Sequence, residues 1–94
     1  MKAKILALII SLPEATERRG RLLRRLQALC VDQVDLINAI RGSALGNAAR
    51  QAVYDEQSVR HYAGRSMTAG ELGCALSHQR CYEAFLASDA DWAL

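Results

Sequence analysis

Cys74, Ser77, His78 and Cys81 fall within one short stretch, MTAGELGCALSHQRCYEAF (67–85), with Gly70, Glu71 and Gly73 just ahead of them. Three chemistries use such residues. Cys74, His78 and Cys81 stand at i, i+4 and i+7, on one face of a helix, and could touch a metal. A structural zinc site takes four ligands, usually with paired cysteines, and the rest of the chain offers only Cys30 and His61. Cys74, near a helix N-terminus and one turn from His78, could instead be an activated thiol. No orienting third group accompanies the pair, and an intrahelical base has little room to serve a substrate. The cysteines are therefore read as small buried hydrophobes. The third option concerns Gly70 and Gly73. Glycine in the first turn of a helix clears side chains from outward-pointing N–H groups, which suits an anion. It equally suits close packing on another backbone, and the residues alone leave both open. The GxGxxG and GxxxxGK(S/T) fingerprints of dinucleotide and P-loop sites are absent from the sequence.

The elements that must position these residues follow from hydrophobic pattern. Ile5 to Ile10 is a continuous apolar run of strand length, as expected for a strand covered on both faces. Ser11-Leu12-Pro13 ends it, since proline cannot continue a central strand but suits a first helical turn. Glu14 to about Leu29 reads as an amphipathic helix with Leu22, Leu23, Leu26 and Leu29 as its buried stripe. Arg18, Arg19, Arg21, Arg24 and Arg25 lie mostly off that stripe, and Gly20 weakens the helix slightly. A second strand is expected between Val31 and Ile40, with alternation at Val34, Leu36 and Asn38. Strand, helix, strand in this order is a right-handed βαβ unit. Ala44 to Tyr54 is helix-prone, Asp55 to Ala63 holds a short turn, and Gly64-Arg65-Ser66 is a loop. Thr68 and Glu71 match a capping box for a helix over Ala69 to about Ala87. Its apolar side is expected at Leu72, Ala75, Leu76, Tyr82, Phe85 and Leu86. Trp92-Ala93-Leu94 begins another strand. Two strands and the start of a third make only a partial parallel sheet with flanking helices, so residues 1–94 read as the front of a larger α/β domain.

Composition narrows the function. Residues 1–50 hold nine Lys or Arg against four Asp or Glu, whereas residues 51–94 hold three against six. The basic half fits an anionic ligand, although a solvated arginine face is the plainer explanation. A second class remains open, a basic helix laid on an anionic surface, as does a truncated, non-catalytic product. At 5 % aromatic, the chain has little to stack on bases, which argues against nucleic acid. The start MKAKILALIISL mimics a secretory signal, but no small-x-small cleavage site follows. The eight mostly apolar residues Ile5 to Leu12 are too few to span a bilayer. Three cysteines without a CxxC pair suggest free thiols in a reducing cytoplasm.

TERRGRLLRRL after the first strand, NAIRG after the second, and MTAGELGCALSHQRCYEAFLASDADWAL together resemble glycosyltransferase family 25. The most specific part, Thr68 to His78, is similar to a family pattern LTxGExGCxxSH. The resemblance implies a Rossmann-like domain of the GT-A type that binds a nucleotide sugar, commonly UDP-galactose. It implies sugar transfer with inversion to a saccharide or glycolipid acceptor of the lipooligosaccharide or lipopolysaccharide type. A divalent metal, Mn or Mg, is expected in the full-length enzyme. The location implied is cytoplasmic, with peripheral contact at the inner membrane. Carried onto this sequence, the donor-binding residues are Ser11, Leu12 and Pro13 at the first strand's end, and Arg18 and Arg19 in the family's ERR. Gly70, Glu71, Gly73, Ser77 and His78 belong to the glycine-helix motif, which the resemblance implies lines or supports the same donor site, and Cys74 matches it too. The strand exit Ser11-Leu12-Pro13-Glu14 departs from the polar NLD-like or NLxR-like exit of the family. The family's acidic metal motif would follow the last strand, so the catalytic base and metal ligands are expected beyond Leu94. Residues 1–94 alone are expected to be inactive.

Overall fold

Residues 3–31 and 33–94 are described by a computed structural model. Met1, Lys2 and Asp32, the last within the expected second-strand segment, lie outside the described residues. The order is β1 (Ile5–Ser11), α1 (Thr16–Ala28), β2 (Val34–Asn38), a 3-10 turn (Gly42–Ala44), α2 (Asn47–Val53), α3 (Glu56–Ala63), α4 (Ala69–Ala87) and β3 (Trp92–Ala93). The strands form a sheet in the order β2-β1-β3, parallel throughout. Ala7 pairs with Val34 and Ser11 with Asn38, while Ile5 pairs with Trp92 on the other side. The unbroken apolar run thus becomes the central strand, the position with neighbours on both edges and helices on both faces.

Side chains alternate along β1. Ala7 and Ile9 face α1 and form a core with Leu26, joined by Leu23, Val31 and Val34. Leu6, Leu8 and Ile10 point the opposite way, toward the face that a right-handed return from β2 to β3 assigns to α4.

Several local readings change in the structure. Helix α1 is shorter than expected at both ends. Of its leucine stripe only Leu26 is buried, while Leu22 and Leu29 are 41 % and 73 % exposed. A 100° stripe is wider than the contact one helix makes on a strand, so its edge leucines remain in solvent. Leu36 is exposed because β2 is an edge strand. Residues 47–63 form two helices rather than a helix and a turn, because Asp55 caps α3 through the N–H groups of Gln57 and Ser58. Of the cysteines only Cys81 is buried; Cys30 and Cys74 are exposed.

Helix α4 buries Leu72 as expected, but the rest of its inner face is Gly73, Ser77 and Cys81. Tyr82 and Leu86 face solvent. The helix turns its small residues inward because it lies against backbone, where bulk has no room. The capping box forms as read: Thr68 Oγ1 accepts from the Glu71 N–H at 3.1 Å, and the Glu71 carboxylate accepts from the Thr68 N–H at 3.0 Å.

Candidate functional site

At the carboxyl end of β1 the chain leaves the sheet through Leu12 and the exposed Pro13 and enters α1. This exit opens a cleft of about 420 Å³, bordered by Ile10, Ser11, Leu12, Arg18, Arg19 and Ala39. Arg19 is half-buried, and its Nη1 donates to Ser11 Oγ at 3.2 Å and to the Leu12 carbonyl at 3.3 Å. The Ser11 hydroxyl donates to the same carbonyl at 3.1 Å. These bonds hold one guanidinium at the mouth of the central strand while Arg18 stays exposed beside it. Open α/β sheets bind ligands outside the carboxyl ends of their strands, where connections diverge to opposite faces. A 2-1-3 order puts that divergence at β1.

Behind the cleft, α4 packs on the chain that leaves β2. Gly73 packs against the chain leaving β2 so closely that a Cβ there would lie 2.6 Å from the Ile40 carbonyl oxygen and 2.7 Å from the Gly42 nitrogen. The reciprocal Cβ on Gly42 would lie 1.7 Å from the Ala69 carbonyl oxygen. Ser77, buried, locks this contact: its Oγ accepts from the Ile40 N–H at 2.9 Å and donates to the Gly73 carbonyl at 2.7 Å. One residue earlier, the Ala39 N–H donates to the Ser11 carbonyl at 3.0 Å. Residues 39 and 40 therefore tie the cleft on one side to α4 on the other.

The two glycines of the first turn of α4 separate in role. Gly73 is required by backbone contact. Around Gly70 nothing lies within 4 Å of a Cβ position, so packing does not demand a glycine there.

Glu71 is engaged in structure: besides closing the capping box, it accepts from Arg65 at 2.7 and 3.1 Å. The Arg65 bond, followed by the Thr68 bonds, holds its carboxyl at about 2. His78 is exposed, with Nδ1 2.9 Å from the Cys74 carbonyl oxygen and 3.7 Å from Cys74 Sγ. That contact stays within one helical turn and gives the thiol no distant base. Among the described residues, no three His, Cys, Asp or Glu side chains come together to hold a metal ion.

Of the residues expected at the site, Ser11, Leu12, Arg18 and Arg19 converge on the cleft and Pro13 shapes its exit turn. Gly73 and Ser77 reach it only through residues 39–42; Gly70, Glu71 and His78 are outside its lining. Sequence reasoning missed Ala39, Ile40 and Gly42. The signal for Gly42 was its place in NAIRG at a strand exit, where a buried backbone contact would need a glycine.

A family model described as glycosyltransferase family 25 (LPS biosynthesis protein) matches residues 5–94. The human procollagen galactosyltransferase 2 is 34 % identical over 73 residues, covering 74 % of this chain and 12 % of that protein. The chain thus spans about an eighth of the length of that relative. No solved structure matches the chain.

Proposed function

The chain belongs to glycosyltransferase family 25, and from that premise we propose that the cleft at the end of β1 takes the diphosphate of a nucleotide-sugar donor, UDP-galactose by analogy with the galactosyltransferase relative. The observation that carries this reading is the convergence of Ser11, Leu12, Arg18 and Arg19 on one cleft at the carboxyl end of the central strand. Arg19, oriented by its bonds to Ser11 and Leu12, presents a fixed cation; Arg18 supplies a second charge. Sugar transfer leaves negative charge on the departing nucleoside diphosphate, and preoriented guanidinium groups stabilise charge of that kind without reorganising. Gly70 lies outside the cleft lining but is free of packing demands, and in this reading the start of α4 is open to a part of the donor that extends beyond the cleft.

The acceptor in this reading is a saccharide or glycolipid hydroxyl, with inversion at the anomeric carbon. A divalent metal would add Lewis-acid stabilisation of the same diphosphate. Glu71, tied to Thr68 and Arg65, is assigned to the capping box and neither to that metal nor to the acceptor proton. The exposed Cys30 and Cys74 thiols accord with a reducing, cytoplasmic setting. No described helix is long and apolar enough to cross a membrane.

Calorimetric titration of UDP-galactose tests the reading. Arg19→Ala is expected to raise the Kd by tenfold or more, and Arg18→Ala by several-fold, with circular dichroism unchanged. Unaltered affinity in both variants would place the donor elsewhere.

A further inference from the structure

Away from the sheet, α1 shows solvent a cationic face that shares only Arg18 and Leu22 with the cleft. Arg18, Arg21, Arg24 and Arg25 are exposed, and none of them enters an ion pair among the described residues. The helix carries one carboxylate, Glu17, one turn before Arg21; Glu14 just ahead of it is held by Arg41. Arg18, Leu22, Arg25 and Leu29 succeed one another at i, i+4, i+7 and i+11, a single line along the helix. Arg18, Arg21, Leu22 and Arg25 enclose a shallow groove of about 200 Å³. Leu22 and Leu29 are substantially exposed within this cationic face, while Leu26 and Leu23 turn inward to the sheet.

We propose that this face of α1 lies on an anionic lipid bilayer. Interleaved leucines and arginines are the composition of a helix resting in a membrane interface, with the apolar side chains among the headgroups and the guanidinium groups on lipid phosphates. Unpaired arginines alone would fit any polyanion. The two leucines decide for lipid, because a nucleic-acid backbone offers no apolar layer beside its phosphates, and this face has no aromatic side chain to stack on bases. The fold fixes the orientation. Packing of Leu26 on Ala7 and Ile9 turns the arginine line outward along the domain surface, parallel to any plane it touches. Arg18 and Leu22 belong both to this line and to the cleft, so the docked surface lies beside the cleft mouth, with Leu29 its leucine outside the cleft. The proposal goes beyond the transferase reading and does not depend on it.

Co-sedimentation with vesicles of phosphatidylglycerol and phosphatidylcholine, against phosphatidylcholine alone, is the test. The protein is expected to partition onto the anionic vesicles and not the neutral ones, with binding weakened by added salt. Reversing Arg21, Arg24 and Arg25 to Glu is expected to lower partitioning at least tenfold, given the attraction of each basic residue to an anionic surface. Leu29→Gln keeps the charge and is expected to lower it several-fold. Circular dichroism and UDP-galactose titration, which use none of these four residues, report that the fold and the cleft are intact. Equal partitioning onto neutral vesicles, or no effect of Leu29→Gln, would overturn the proposal. So would tighter binding to duplex DNA than to anionic vesicles.

Discussion

Ser77 reaches across 37 residues of chain to accept the backbone N–H of Ile40 at 2.9 Å, and the neighbouring residue, Ala39, borders the cleft. A buried hydroxyl that also returns a bond to the Gly73 carbonyl is satisfied on both sides. Ser77→Ala removes the acceptor and leaves the Ile40 N–H without its partner, at a cost of about 1–3 kcal/mol. Urea unfolding is expected to show that loss, and UDP-galactose affinity to fall by several-fold as the cleft edge loosens. Full stability in Ser77→Ala would mean that water replaces the hydroxyl.

Gly70 and Gly73 should part company on substitution by alanine. At Gly73 the new methyl meets the backbone of Ile40 and Gly42, which cannot swing aside, and roughly 3 kcal/mol or more of stability should be lost. At Gly70 the methyl enters open space within a helix, so stability should hold or rise by up to about 1 kcal/mol. If the start of α4 faces the donor, Gly70→Ala weakens nucleotide-sugar binding in a protein that is no less stable. Thermal unfolding and titration on the same samples separate the two effects.

Cys30 sits at φ 60°, the left-handed region that favours glycine. Its N–H donates to the Gln27 carbonyl and that of Val31 to the Leu26 carbonyl, the Schellman termination of α1. Cys30→Gly should relieve the backbone and raise stability by about 1 kcal/mol. A fall in the unfolding midpoint would show that the exposed thiol makes a compensating contribution.

Acid should loosen the segment between α3 and α4. Bonds from Ser66, Tyr54 and Arg60 hold the Glu56 carboxyl at about 2, as bonds from Arg65 and Thr68 do for Glu71. Both folded values lie below the ordinary 4.5, so their stabilisation is present above about pH 4.5 and disappears as the pH falls toward 2. The urea midpoint is expected to decline over that window, and the Glu56→Gln, Glu71→Gln double variant to decline less steeply. Parallel pH profiles would assign the acid sensitivity to other carboxylates.

The strands and the capping box were readable in the sequence because each is a local signal: an apolar run, a proline, and a threonine three residues before a glutamate. The inner face of α4 was not. Apolar pattern selects Tyr82 and Leu86, whereas the helix turns Gly73, Ser77 and Cys81 inward, the first two because their neighbour is backbone from residues 40–42. Periodicity records greasiness, and a surface shaped for close approach is built from small residues that carry little of it. The place of Gly42 in NAIRG, at a strand exit, marks it for a close contact, but that its partners are Ala69 and Gly73 is visible only in the fold. At the cleft, the arginines were visible as a charge run, but the singling out of Arg19 rests on Ser11 and Leu12, eight and seven residues away.

The central position of β1 also governs the order in which the chain can complete itself. Its partnership with β2 closes within the first forty residues, but its other edge waits for Trp92 and Ala93. At ribosomal speeds the interval between the two pairings is on the order of several seconds. Through that interval the nascent chain exposes one side of its most apolar strand, with Lys4 and Leu6 not yet bonded to residues 91–94. Pulse-labelled hydrogen exchange should find the amides that join β1 to β2 protected before the Leu94 amide that bonds to Leu6. The stretch most exposed to a chaperone during synthesis is then the one that ends up most enclosed.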